Sequence, residues 1–214
     1  MKNTGRRLHA ENGSPVPREL ITATHAPDIV SVPKRRCLAI DGAGSPQDPS
    51  FRASIEALFG IAYTLKFSRK KGGKGDFKVG PLEGHWAADV PATTTGKPAP
   101  EHWRWRLRIG VPDGVTRDDV ERIKRDVLSK KGGKLEGSTV VPHVFVESVP
   151  AQRLGRILHI GPYAEEPASF ALMTTALDRA GLKPAPTHIE VYRKAPGRTR
   201  PASLETILLR ELAA

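Results

Sequence analysis

A short pattern occurs twice in the sequence. Ser31-Val-Pro precedes a strand ending Leu38-Ala-Ile-Asp-Gly and then a helix; Ser148-Val-Pro precedes a strand ending Leu158-His-Ile-Gly and then another helix. After each helix comes a strand that carries one glutamate in apolar surroundings, Glu83 in the first copy and Glu190 in the second. A chain of 214 residues that runs strand–helix–strand–strand twice is expected to be α+β. Duplication implies two similar antiparallel sheets related by a pseudo-twofold, helices on one side, and a cleft where the halves meet.

The periodicities place the elements. Arg36–Asp41 reads as a strand ended by Gly42 and Gly44, and Ser45-Pro-Gln-Asp-Pro as a turn. Phe51, Ile55, Leu58, Phe59 and Ala62 share one face of a helix from about Ser50, a plausible N-cap, to Phe67. Lys70-Lys-Gly-Gly-Lys stops it. Strands follow at about Phe77–Val90 and, after a Pro91–Pro100 loop, at His102–Val111, where Trp103, Trp105, Leu107 and Ile109 alternate with Arg104, Arg106 and Arg108. Thr116 opens a second helix that Lys130-Lys-Gly-Gly-Lys closes. Then come strands at His143–Val149 and Arg156–Ile160, a helix from Pro167 to about Ala180, and strands at His188–Lys194 and Leu204–Leu209. Residues 1–30 lack periodicity and read as a mostly irregular, mobile extension in which Leu20 and Ile21 can pack on the domain. Module one spans about 31–112, a linking helix and strand 113–147, and module two 148–212.

Composition narrows the function. The net charge of +11 favours an anionic partner, but the basic residues are scattered and no nucleic-acid motif accompanies them, so nucleic acid is not expected. One cysteine, Cys37, excludes an internal disulfide and reads as a small core residue. No apolar run approaches a membrane span, and no apolar signal core opens the chain, so a cytoplasmic location is the default. Phosphate loops, dinucleotide fingerprints, nucleophile elbows and metal-ligand histidine spacings are missing from the sequence, so neither a cofactor nor a metal is expected.

What remains is acid beside aromatic rings, in a chain only 6% aromatic. Leu82-Glu83-Gly84-His85-Trp86 brings a carboxylate near an indole. In Ile189-Glu190-Val191-Tyr192 the two-residue period of a strand puts Glu190, Tyr192 and His188 on one face. Tyr163 follows a strand end, a position that often faces a cleft, while Tyr63 and Trp105 stand on the helix and strand that would wall it. A carboxylate among rings demands a cationic partner or keeps its proton, and ring faces attract cations and planar molecules. The same carboxylate could act as a general base on water, with a tyrosine hydroxyl polarising the substrate.

Several stretches together resemble the GyrI-like small-molecule-binding proteins: Phe51 to Phe67, Pro81-Leu-Glu-Gly-His-Trp, Trp103-Arg-Trp, His159-Ile-Gly-Pro-Tyr-Ala-Glu-Glu-Pro, Glu190-Val-Tyr and Arg198-Thr-Arg-Pro, in that order from about residue 19 onward. The resemblance implies paired strand–helix–strand–strand (SHS2-type) modules with a ligand cleft at the pseudo-twofold. It also implies a monomer or weak homodimer. Glu190 matches the family's cleft glutamate; Tyr192, Tyr163, Trp86, Glu83 and Tyr63 match its motif positions. The family includes drug-sensing domains, a gyrase inhibitor and, in the subgroup with a Pro-Leu-Glu-Gly-x-Trp pattern, hydrolases of cyclopropane-bearing natural products. On that reading Glu190 and Tyr192 are the catalytic candidates. The subgroup usually has Leu-Trp-Trp where this chain has His85-Trp86-Ala87, so one indole is missing.

Overall fold

A computed structural model describes residues 13–89, 98–131, 136–196 and 199–212. Residues 1–12 fall outside them, as do parts of the loop expected at Pro91–Pro100 and of the lysine-rich end of the second helix. The strands are β1 (Asp28–Val32), β2 (Arg35–Ala43), β3 (Leu82–Ala88), β4 (Trp103–Val111), β5 (Phe145–Val149), β6 (Gln152–Ile160), β7 (His188–Lys194) and β8 (Glu205–Glu211). The α-helices are α1 (Pro49–Lys71), α2 (Arg117–Lys131) and α3 (Glu166–Arg179).

All eight strands form one antiparallel sheet in the order β1-β6-β8-β7-β3-β4-β2-β5. The two halves join at its centre, where β3 pairs with β7. The repeat is visible in the register: Val32 pairs with Gln152 on one flank, and Arg35 with Val149 on the other. Arg35 and Gln152 are 117 positions apart, as Ser31 and Ser148 are, and they hydrogen-bond to each other at 3.0 Å across the curled sheet. Each repeat therefore contributes one short strand, β1 or β5, to the other half. The duplicated unit is longer by one strand than the sequence pattern shows.

The pleat sorts side chains into two faces. On the helix face lie Leu38 and Ile40 of β2, Trp105, Leu107 and Ile109 of β4, Leu82 and Trp86 of β3, and Glu190 and Tyr192 of β7. Helices α1 and α2 bury the first part of this face with Phe51, Leu58, Ile61, Leu65, Ile123 and Val127. Helix α3 buries the far part, Met173 and Leu177 packing on Ile157 and Leu208. Each such fully buried aliphatic side chain contributes about 1.5–3 kcal/mol.

The N-terminal segment is a correction to the expected mobile extension, within residues 13–30. Val16 and Leu20 are fully buried against Leu154, Leu158, Ile189, Val191, Ile207 and Leu209, on the face away from the helices. That face is a strip of aliphatic side chains that needs a roof. Val16 seats tightly: a Cβ at Gly80 would lie 2.4 Å from its methyl group. Asp28–Val32 then joins the sheet as an edge strand. Sequence periodicity missed it because its exposures follow no clean alternation.

Other boundaries shift for local reasons. Ser50 is inside α1, not its cap; Asp48 precedes Pro49 at the first helical position, and its carboxylate accepts a hydrogen bond from Ser45 N at 2.7 Å. Thr116 does open α2, in a reciprocal box where its hydroxyl accepts from Asp119 N and the Asp119 carboxylate accepts from Thr116 N, both at 3.1 Å. Strand β3 begins at Leu82 rather than Phe77, whose ring is buried in the core from an irregular stretch.

Candidate functional site

Helix α1 packs over β2 and β4, and α3 over β6. Between the two helices the central strands β3 and β7 present their helix-side residues in a groove at the pseudo-twofold. Its floor is a hydrogen-bonded chain. Trp86 Nε1 donates to the Tyr192 hydroxyl at 3.2 Å, which donates to Glu190 Oε2 at 2.7 Å. His188 Nε2 meets Glu190 Oε1 at 3.0 Å, the Nε2–H tautomer being the donor. Both oxygens of a carboxylate only 9% exposed are thus engaged. Burial, then the Glu190 charge, pushes the Tyr192 hydroxyl well above its ordinary pKa, so it stays a donor.

Gly84 makes this chain possible. It stands opposite Glu190 in the β3–β7 register. A Cβ there would lie 2.9 Å from both Trp86 Nε1 and the Tyr192 oxygen, inside the hydrogen bond that joins them.

Aromatic rings surround the floor. Phe51 stacks on Trp86 with centroids 5.6 Å apart, and Trp103 meets that indole edge-on at 6.2 Å. Tyr163 stands edge-on to Tyr192 at 6.0 Å, and Phe170 to His188 at 4.9 Å. Tyr163 is 37% exposed, and burial followed by the charge of Glu166 pushes its hydroxyl up to about 12. Two cavities lie elsewhere, about 680 Å³ beside α2 and β5 and about 360 Å³ beside Asp41, His85 and Arg106.

Of the residues singled out from the sequence, Glu190, Tyr192, Trp86 and Tyr163 meet in the groove. Trp105 shares its face but stands behind Phe51, edge-on at 5.1 Å, with its indole laid over Gly42. Tyr63 is half exposed and stacks on Phe59, a turn farther along α1. Glu83 is a correction: it is not in the groove. It pairs with Val191 and Arg108 on the opposite face and forms an ion pair with Arg35 at 2.8 Å, both side chains no more than 2% exposed. An odd spacing from Trp86 to Glu83 on one strand puts them on opposite faces. Burial alone would loosen the Arg35 proton, but the Glu83 carboxylate outweighs it and holds the guanidinium charged. Cys37 lies on that face too, its thiol pushed up to about 12 by burial and then by Glu83, which makes it unreactive.

Three groove residues were not assigned from the sequence. Phe170 and Thr206 are not singled out by the sequence pattern. Glu166 is buried, and lies one helical step from Tyr163 and from Phe170. The signal for Glu166 was present, an acid at i+3 from a cleft tyrosine, but acids in a first helical turn are common for dipole reasons.

Solved structures share this architecture. An uncharacterized conserved protein from Listeria innocua is 26% identical, covering 91% of this chain and 96% of its own, with a TM-score of 0.80. A hydrolase from Listeria innocua is 25% identical over 91% of this chain and 95% of its own, with a TM-score of 0.77. The C-terminal domain of EcmrR, 10% identical, covers 87% of this chain and 96% of its own at a TM-score of 0.52. The fold is GyrI-like. No protein-family model matches the sequence, and no curated protein does. As the GyrI-like fold implies, the helices share one side of the sheet, and the groove lies where the halves meet. None of the helices among the described residues is long and apolar enough to cross a membrane.

Proposed function

We propose that the groove between α1 and α3 captures small apolar or cationic aromatic molecules, with Glu190 supplying the charge. One observation carries this reading: an acidic side chain, nearly buried, lies among Trp86, Tyr192, Tyr163 and Phe170, its oxygens met by a phenol and an imidazole rather than by a lysine or arginine among the described residues. A carboxylate withdrawn from water in such surroundings gains from an incoming cation, and ring faces add stacking and cation–π attraction. The rings around the floor must part first. Tyr163, partly exposed on a single turn before α3, is the side chain placed to swing away.

Fluorescence titration tests it with two molecules of one ring system, cationic ethidium and neutral phenanthridine. Glu190→Gln keeps the shape and removes the charge. Ethidium is expected to bind about tenfold more weakly to the variant, a difference of about 1.4 kcal/mol, while phenanthridine is held as before. Equal loss for both ligands would remove the charge from the account.

A second reading is hydrolysis of a strained electrophilic ring, with Glu190 activating water and Tyr192 or Tyr163 donating to the developing oxyanion. It is supported by the likeness to the Listeria innocua hydrolase along most of both chains. The raised pKa of both tyrosines suits a donor role. Incubation with a cyclopropane-bearing duocarmycin-type compound separates the readings by mass spectrometry. A water adduct that disappears in Glu190→Gln indicates turnover; stoichiometric complex without product indicates binding alone.

A further inference from the structure

Helix α2 and strand β5 line a cavity of about 680 Å³. Strand β5 is the last strand at one edge of the sheet, so this cavity is separate from the groove, which lies at the central β3–β7 pair. Its volume suits a drug-sized molecule. Arg117, Val120, Glu121 and Lys124 follow at i, i+3, i+4 and i+7 on α2 and so share the side of the helix that lines it. Val144, Phe145 and Val146 line it from the other element. Val120 and Val144 are buried, and Phe145 and Val146 are half-buried, so the walls are apolar.

The charges around this space are not balanced. Lys124, only 8% exposed, donates to Glu121 Oε1 at 2.7 Å and to Pro142 O at 3.0 Å. That clamp ties α2 to the turn before β5 and neutralises the Glu121 carboxylate. Arg117 differs: its guanidinium makes no hydrogen bond and no ion pair among the described residues. Its charge still reaches the site, since the Lys124 hydrogen bond first, and then the charges of Lys124 and Arg117, hold the Glu121 carboxyl below its ordinary range. An arginine without an ion-pair partner therefore stands at an apolar cavity, in a chain whose net charge of +11 draws anions at long range.

We propose that this cavity binds a small aromatic anion, a carboxylate or sulfonate on an apolar ring body, with Arg117 taking the anionic group and Val120, Val144 and Phe145 the rings. A guanidinium presents paired N–H donors that match two oxygens of such a group. The ring body matters because an ion pair with an exposed arginine alone is weak, and burial of apolar surface supplies the rest.

Anilinonaphthalene sulfonate has this chemistry and brightens when its rings leave water. Fluorescence titration of the full chain is expected to show saturable binding. Arg117→Gln is expected to weaken it about tenfold, and Arg117→Lys, which keeps the charge without the paired donors, by less. Phe145→Ala, which removes part of the wall, is expected to weaken it as well. Arg125→Gln removes an exposed cation of the same helix that does not line the cavity, and is expected to change the affinity less than about twofold. Equal losses in Arg117→Gln and Arg125→Gln would assign the dye to the general positive charge and overturn the proposal. So would absence of binding by the unsubstituted protein, binding that Arg117→Gln leaves unchanged, or unchanged affinity in folded Phe145→Ala. Arg117 is exposed, so its variants are expected to fold. If Phe145→Ala does not fold by circular dichroism, the comparison of Arg117→Gln with Arg125→Gln decides alone.

Discussion

Glu83 and Glu190 lie one rung apart on paired strands and point to opposite faces of the sheet. They are the acids that mark the two copies of the repeat, yet they have different tasks. Glu83 closes a buried ion pair with Arg35, which reaches through Gln152 to Glu211 in the other half. Glu190 is held by the Tyr192 hydroxyl and the His188 imidazole beneath the groove. Removing one partner of a buried pair leaves an uncompensated charge, at a cost of about 3–5 kcal/mol. Glu83→Gln is therefore expected to lower the urea midpoint of unfolding severely, whereas Glu190→Gln changes dye affinity and shifts that midpoint much less. The opposite ranking would mean that the faces have been assigned the wrong way round.

The site depends on a missing side chain at Gly84. Gly84→Ala puts a methyl group into the Trp86–Tyr192 hydrogen bond and forces both side chains to move. Overpacking of this kind costs about 1–3 kcal/mol. Trp86 fluorescence is expected to shift, since its indole loses the Tyr192 oxygen, and ethidium binding is expected to weaken with it. Gly60, whose added Cβ would meet nothing within 4 Å, is the control: Gly60→Ala is expected to leave both unchanged.

Much of this was legible in the sequence, for identifiable reasons. The repeat gave the duplicated architecture, and β7 was read with its limits correct because Ile189 and Val191 alternate cleanly with Glu190 and Tyr192. Strand β6 was read short, because Gly155 interrupts the apolar pattern; it is there to admit Leu177, whose methyl would be 2.8 Å from a Cβ. Which face Glu83 takes could not be read from a segment with a glycine in its middle, since register rather than composition decides it. Leu20 and Ile21 could be read as packing residues because they form an apolar patch, and they do pack, whereas Val16 stands in no periodic element and is fixed by tertiary burial alone. Glu166 was hidden in a role that helix starts ordinarily give to acids.

Leu20 provides a test of that N-terminal roof. It is fully buried among the aliphatic residues of β6, β7 and β8. Leu20→Ala is expected to cost about 2–5 kcal/mol in chemical unfolding, as for core leucines in general. The groove lies on the other side of the sheet, so the folded fraction is expected to bind ethidium as before. An effect below about 0.5 kcal/mol, the range of surface substitutions, would mean that the segment is not docked in solution.

Burial of the groove tyrosines sets an alkaline limit on stability. Tyr163 is shifted from 10.0 to about 12, and Tyr192 farther in the same direction. A phenol with a raised folded-state pKa keeps its proton in the native state while the unfolded chain loses it. The unfolded state then binds fewer protons, so the free energy of unfolding declines as pH rises. The contribution is complete below the unfolded value near 10 and is lost progressively from there, with the Tyr163 part gone above about 12. Urea midpoints measured at rising pH are expected to hold steady to about pH 9.5 and then fall. Tyr163→Phe removes one of the two shifted phenols and is expected to make that fall shallower. Tyr192→Phe is expected to do so more strongly, while also costing about 1–3 kcal/mol at neutral pH, because Glu190 Oε2 loses its donor and Trp86 Nε1 its acceptor. Phenolate absorbance gives the independent check: in the native protein these two hydroxyls are expected to ionise only as the chain unfolds, and titration of all three tyrosines near pH 10 in folded protein would show that the groove is wet.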